Sequence, residues 1–182
     1  MERRKERLVE AIDKMKERYE DVIDLTHFEK HDMALELKGS LVTDWKNGKI
    51  YCSLSKRANE EVFFYLIDKL NEIAEKQGSS KRLRGVVFHS VDSNGEEIYH
   101  TDCMMTLLSK HAVVCLDAIP DQKEKENLIY ELTSSKYNVE PKQILSLNHY
   151  ESENMCANMF DVLDDNDNHC VVLSQRAFEC YR

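Results

Sequence analysis

The chain has 182 residues, 42% hydrophobic and 32% charged, with Gly 5, Pro 2 and a formal net charge of −9. That suits one domain with a packed core and leaves out collagen-like, low-complexity and long disordered chains. The acidic balance argues against a nucleic-acid binder, no run of roughly 18 apolar residues offers a membrane span, and no charged-then-apolar leader marks a secretory signal.

In chain order, Glu2 to Tyr19 reads as a helix, with Leu8, Ala11, Ile12 and Met15 at helical spacing. Val22 to Leu25 is a short strand candidate, followed by a polar link from Thr26 to Asp32. Gly39 to Asp44 and Lys49 to Leu54 read as a hairpin around Asn47-Gly48. Asn59 to Lys76 carries an apolar stripe of Val62, Phe63, Leu66, Ile67, Leu70 and Ile73, the mark of an amphipathic helix. A strand follows at Gly85 to His89, then a turn at Asp92 to Gly95. Met104 to Leu108 and Ala112 to Leu116 form a second strand pair, Gln122 to Ser134 a second helix, and Gln143 to Leu147 a strand. A third pair, Asn158 to Leu163 and Cys170 to Ser174, flanks the polar turn Asp164 to Asn168. The unit strand-turn-strand-helix-strand thus recurs about two and a half times at a period of roughly 60 residues, which predicts stacked α/β units. The third unit breaks off where its helix begins, so the C-terminus reads as cut.

The basic runs Glu2 to Arg7 and Lys81 to Arg84 read as solvated ends of elements. The cysteines at 52, 103, 115, 156, 170 and 180 show neither CxxC nor any zinc spacing, and read as reduced thiols of a cytoplasmic protein. His100 and Asp102, two apart on an extended chain, would share one face. There the imidazole can shuttle a proton and the carboxylate can hold a cation; the alternative is a polar start to a buried strand. Glu36, among Ala34, Leu35 and Leu37, is either a surface glutamate or an acid that orients a histidine. Arg57 either forks onto a carboxylate or belongs to a helix start. Asn158 either bonds a ligand or braces a turn. Cys103 and Cys115 lie in apolar runs, where thiols are inert, and neither is taken as a nucleophile.

Several ordered stretches resemble the amidinotransferase superfamily, in particular its arginine deiminase and citrulline-utilising hydrolase branch, related to dimethylarginine hydrolases. They are "RRKERLVEAI", "ALELKGSLVTD", "YCSLSKRANEEV", "VVFHSVDSNGEEIYHTDCMM", "HAVVCLDAI", "NMCANMFDVL" and "CVVLSQRAF". The resemblance implies the pentein fold, a five-bladed α/β propeller of ββαβ units with ligands at its axis. This chain is expected to hold a partial propeller over 1–182, about three blades, without the first blade and without the C-terminal cysteine loop. The implied chemistry is cysteine attack on a guanidino or ureido carbon, with no cofactor and no metal. By position His100 would be the acid/base and Glu36 its orienting acid. Arg57 would meet the substrate carboxylate, and Asn158 would stand at a substrate-binding turn. Asp102, where citrulline hydrolases have asparagine and arginine deiminases aspartate, favours a cationic guanidinium. The departures are Leu37 and Lys38 for glycine and threonine, Ala157 for a turn glycine, and Cys180, too early and without flanking glycines to be the nucleophile.

The expected function is therefore that of a hydrolase of arginine-like or citrulline-like C–N bonds, inactive as this chain alone. The alternative is a non-catalytic ligand-binding or interaction remnant of the same fold, and an unrelated α/β domain is a third reading. The expected partners are a small guanidino or ureido amino acid and, for uncovered faces, a second copy or a complementing chain.

Overall fold

The computed structural model describes residues 9–135 and 140–181. Of the helix expected from Glu2, residues 2–8 lie outside that range, and the rest is α1 (Val9–Arg18). Its apolar side is not packed: Val9 and Met15 are exposed. Val22 to Leu25 is not a strand: among the described residues no second strand lies alongside to take its backbone bonds. The polar link beyond it is a 3-10 turn, Thr26–His31, pinned by buried Phe28 against Tyr65 at 5.1 Å between rings. The strand expected from Gly39 starts later. Residues Leu37–Ser40 form a single helical turn, α2, with the Ser40 N–H donating to the Glu36 carbonyl at 3.1 Å.

Strands β1 (Leu41–Asp44) and β2 (Lys49–Leu54) then pair antiparallel, Leu41 opposite Cys52. The Asp44 carboxylate accepts from the Asn47 backbone N–H at 3.2 Å and from its side-chain amide at 2.9 Å. Gly48 takes φ 64°, a conformation glycine adopts without a Cβ clash. Helix α3 (Glu60–Lys76) returns the chain, and β3 (Arg84–His89) pairs parallel with β2, giving the order β1-β2-β3.

The second unit repeats this: β4 (Met105–Leu107), β5 (His111–Val114), α4 (Gln122–Thr133) and β6 (Gln143–Ser146), in the order β4-β5-β6. The Asp121 carboxylate starts α4 by accepting from the N–H groups of Lys123 and Glu124. A short helix, α5 (His149–Glu153), leads to β7 (Met159–Leu163), β8 (His169–Leu173) and α6 (Gln175–Cys180). The result is a mixed α/β fold with three small sheets among the described residues. Ala157 is tolerated where a turn glycine was expected, because the positive φ of that turn, 62°, falls on Met155.

Strand β2 is buried on both faces, and the alternation of its side chains divides the core. Ile50 and Cys52 pack with Phe63 and Ile67 of α3. Tyr51 joins Phe88, Met104, Val113 and Leu128 in a larger cluster that spans both units. No described helix is long and apolar enough to cross a membrane.

Candidate functional site

The Ala34–Glu36 segment and the turn after β2 run side by side. The Ala34 N–H donates to the Asn59 side chain at 2.6 Å, the Asn59 N–H to the Ala34 carbonyl at 2.9 Å, and the Glu36 N–H to the Arg57 carbonyl at 2.9 Å. This pairing sets Glu36 and Arg57 abreast. One Glu36 oxygen, Oε2, lies 2.8 Å from His100 Nε2 and 3.5 Å from Arg57 Nη1. The Arg57 guanidinium also stacks on Tyr99, 4.0 Å from the ring centre, and Tyr99 meets the His100 ring edge-on at 4.8 Å. His100, Glu36 and Arg57, each a candidate from the sequence, thus lie together in one partly exposed cluster.

His100 is located by its neighbours in the chain. Buried Thr101 donates its hydroxyl to the Ser40 carbonyl at 2.6 Å and accepts from the Ser53 N–H at 2.7 Å, which ties the segment to the end of α2 and to β2. Below the ring lies Gly39, where a Cβ would sit 2.8 Å from His100 Cγ and Nδ1. A side chain there would push the imidazole away from Glu36, so the close approach requires glycine.

The extended geometry expected for His100 to Asp102 is not what forms. His100 is extended (φ −123°, ψ 120°), but Thr101–Cys103 closes into a 3-10 turn. The turn still gathers the side chains: a ligand-type atom from each of His100, Asp102 and Cys103 lies within 4.8 Å of the others. Burial raises the Asp102 carboxyl above its usual value, against the pull of the nearby His100. Burial also pushes the Cys103 thiol up, with the Asp102 carboxylate adding to the effect. Cys103 ends the 3-10 turn, half-buried near His100, and β4 starts at Met105, one residue later than the Met104 expected. Cys115 is fully buried.

Asn158 lies outside this cluster. It is exposed and lines an open groove of about 470 Å³ on the β7–β8 hairpin, with Met155, Phe160, Val172, Leu173 and Ser174. Tyr99, Thr101 and Gly39 were not singled out from the sequence as site residues. Their partners lie tens of residues away, and only an aromatic next to a candidate histidine hinted at Tyr99.

Residues 1–182 match the family model described as N,N dimethylarginine dimethylhydrolase, eukaryotic. No curated protein matches the chain. Among solved structures, one similar to it is the substrate-bound N-terminal domain of a mutant of ArgZ, an arginine dihydrolase from the ornithine-ammonia cycle in Cyanobacteria. The TM-score is 0.51 and the identity 14%, over 85% of this chain and 52% of that one. A proposed peptidyl-arginine deiminase matches at TM-score 0.32 and 17% identity, over 72% and 38%. The chain thus spans about half the length of the ArgZ domain, with which it shares a fold.

Proposed function

The chain belongs to the eukaryotic N,N-dimethylarginine dimethylhydrolase family, within the amidinotransferase superfamily, and from that premise we propose that the cluster around Glu36 binds a guanidino amino acid. The observation that carries this is the single Glu36 oxygen shared by His100 and Arg57. Asp102, half-buried and so costly to ionise alone, gains from a cationic guanidinium beside it. Arg57 is held by Glu36 and Tyr99 and keeps further N–H groups for a ligand carboxylate. Glu36 on Nε2 fixes the imidazole for proton transfer.

The reaction class is hydrolysis of a non-peptide C–N bond. A thiolate attacks the guanidinium carbon, and the amine leaves with a proton from the imidazolium. The imidazole then takes a proton from water, which attacks the same carbon and releases the thiolate. Cys103 is poorly suited to be that thiolate, because burial and Asp102 both favour its protonated form. The same observation favours the second reading, a binding protein without turnover. The ββαβ units fit a partial, open propeller of about three blades, working in a reducing compartment such as the cytoplasm. Exposed Phe160, Leu163, Val171 and Val172 on β7 and β8 favour self-association; a monomer by light scattering at high micromolar concentration would refute it.

Calorimetry with N,N-dimethylarginine, arginine and citrulline tests the binding. The two cationic ligands are expected to bind at least about tenfold more tightly than citrulline, a gap that Asp102→Asn removes. Absence of binding by all three, or affinities untouched by Arg57→Ala and Asp102→Asn, would overturn the reading. Dimethylamine release, followed separately, decides between turnover and binding alone.

A further inference from the structure

We propose that Cys156 and Cys180 form a paired-thiol site, closed to a disulfide by exchange with a small-molecule disulfide of the glutathione class. Both are free thiols. Helix α6 brings them together on the turn before β7. The Cys156 thiol donates to the Ala177 carbonyl at 4.0 Å, and the Tyr181 hydroxyl donates to the Cys156 carbonyl at 2.8 Å. Cys180 follows Ala177 by three residues and Tyr181 by four, so all three lie on the side of the helix that faces Cys156. The two cysteine side chains are hydrogen-bonded to each other, and both pack in the larger hydrophobic cluster. Arg176 Nε donates to Asn154 Oδ1 at 2.6 Å, which seats the same helix on the same turn. Cys170, an exposed thiol, stands opposite Val162. It is three residues, roughly 10 Å, along the hairpin from the Met159–Leu173 end beside Cys156 and α6, beyond the reach of an S–S bond.

Burial orders the steps. Cys156 is buried, whereas Cys180 is half-buried and meets the oxidant. Its sulfur, as thiolate, attacks one sulfur of the disulfide, forms a mixed disulfide and releases one thiol. Burial, and after it the bond to Cys180, hold the proton on Cys156, so the second step is the slower one. There Cys156 gives up that proton and attacks Cys180; the Cys156–Cys180 bond forms and the second thiol leaves with the proton. Two protein thiols are oxidised and one disulfide is reduced to two thiols. The loop so closed encloses β7 and β8. Their sheet has two strands where each of the other two sheets has three, so a covalent tie at its base slows its opening.

The test treats the folded full chain with oxidised glutathione, quenches with acid, alkylates the remaining thiols in denaturant and maps the peptides by mass spectrometry. A glutathione adduct on Cys180 is expected first. It gives way to a Cys156–Cys180 cross-link that dithiothreitol reverses and that Cys170→Ser still forms. In Cys156→Ser the adduct on Cys180 is expected to persist. In the cross-linked wild type, amide hydrogen exchange across residues 159–173 is expected to slow at least about tenfold, a change absent in Cys180→Ser. Wild-type Cys156 and Cys180 both alkylated after treatment, a persistent adduct, or unchanged exchange would overturn the proposal. None of these readouts uses the Glu36 cluster, so the guanidino reading and this one stand or fall separately.

Discussion

Glu36 holds a histidine and an arginine with one oxygen, while for Asp102 the cost of burial outweighs the pull of the nearby His100. The consequence is a pH dependence of definite sign. The native state holds the Asp102 proton more tightly than the unfolded chain, whose carboxyl titrates near the ordinary 3.8. Its contribution to stability is full below that value and is lost as pH rises through the higher native one. Asp102→Asn carries no such charge. In urea unfolding it is expected to gain stability relative to wild type between about pH 3 and pH 7; a difference that stays constant between the two pH values would contradict this. His100, Glu36 and Arg57 were legible because each sits in a short, chemically distinctive stretch. Gly39 and Thr101 were not, because what each does depends on a partner across 61 residues.

Among the elements, the repeat of hairpin, helix and parallel strand was legible from hydrophobic period and turn chemistry. Asn47-Gly48 closes the first hairpin, and Asp164 closes the third by accepting from the Asn166 and Asn168 N–H groups at 2.8 Å each. What failed was local. Gly39 and Ser40 read as the start of the first strand, yet Leu37–Ser40 turns helically, and that turn brings Gly39 under the imidazole. Among the described residues, Val22 to Leu25 had strand propensity but no strand neighbour, and α1 had an amphipathic stripe of which no residue is buried. The join between the first hairpin and the 3-10 turn depends on Thr101. Thr101→Val keeps the shape but leaves a buried carbonyl and a buried N–H without partners. It is expected to destabilise the chain by about 1–3 kcal/mol and to weaken ligand binding as His100 loosens. Thermal unfolding unchanged from wild type would show that the clamp does not hold the turn.

At the scale of the molecule, the first two units share one hydrophobic cluster, and a buried ion pair fastens them. Lys49 of β2 reaches Glu131 of α4 at 3.1 Å and also donates to the Ser134 carbonyl and hydroxyl. That docking leaves the Glu36 cluster at the surface where the first unit meets the turn opening the second, so ligand and fold are coupled through the His100–Cys103 segment. The central claim is that a guanidino amino acid binds at this cluster. The most direct test is the long-range proton–nitrogen spectrum of the histidine rings during titration with N,N-dimethylarginine. Of the seven histidines, His100, assigned through His100→Gln, is expected to shift and saturate with the ligand while the others stay in place. A saturating ligand that leaves the His100 ring signals unmoved would contradict the account.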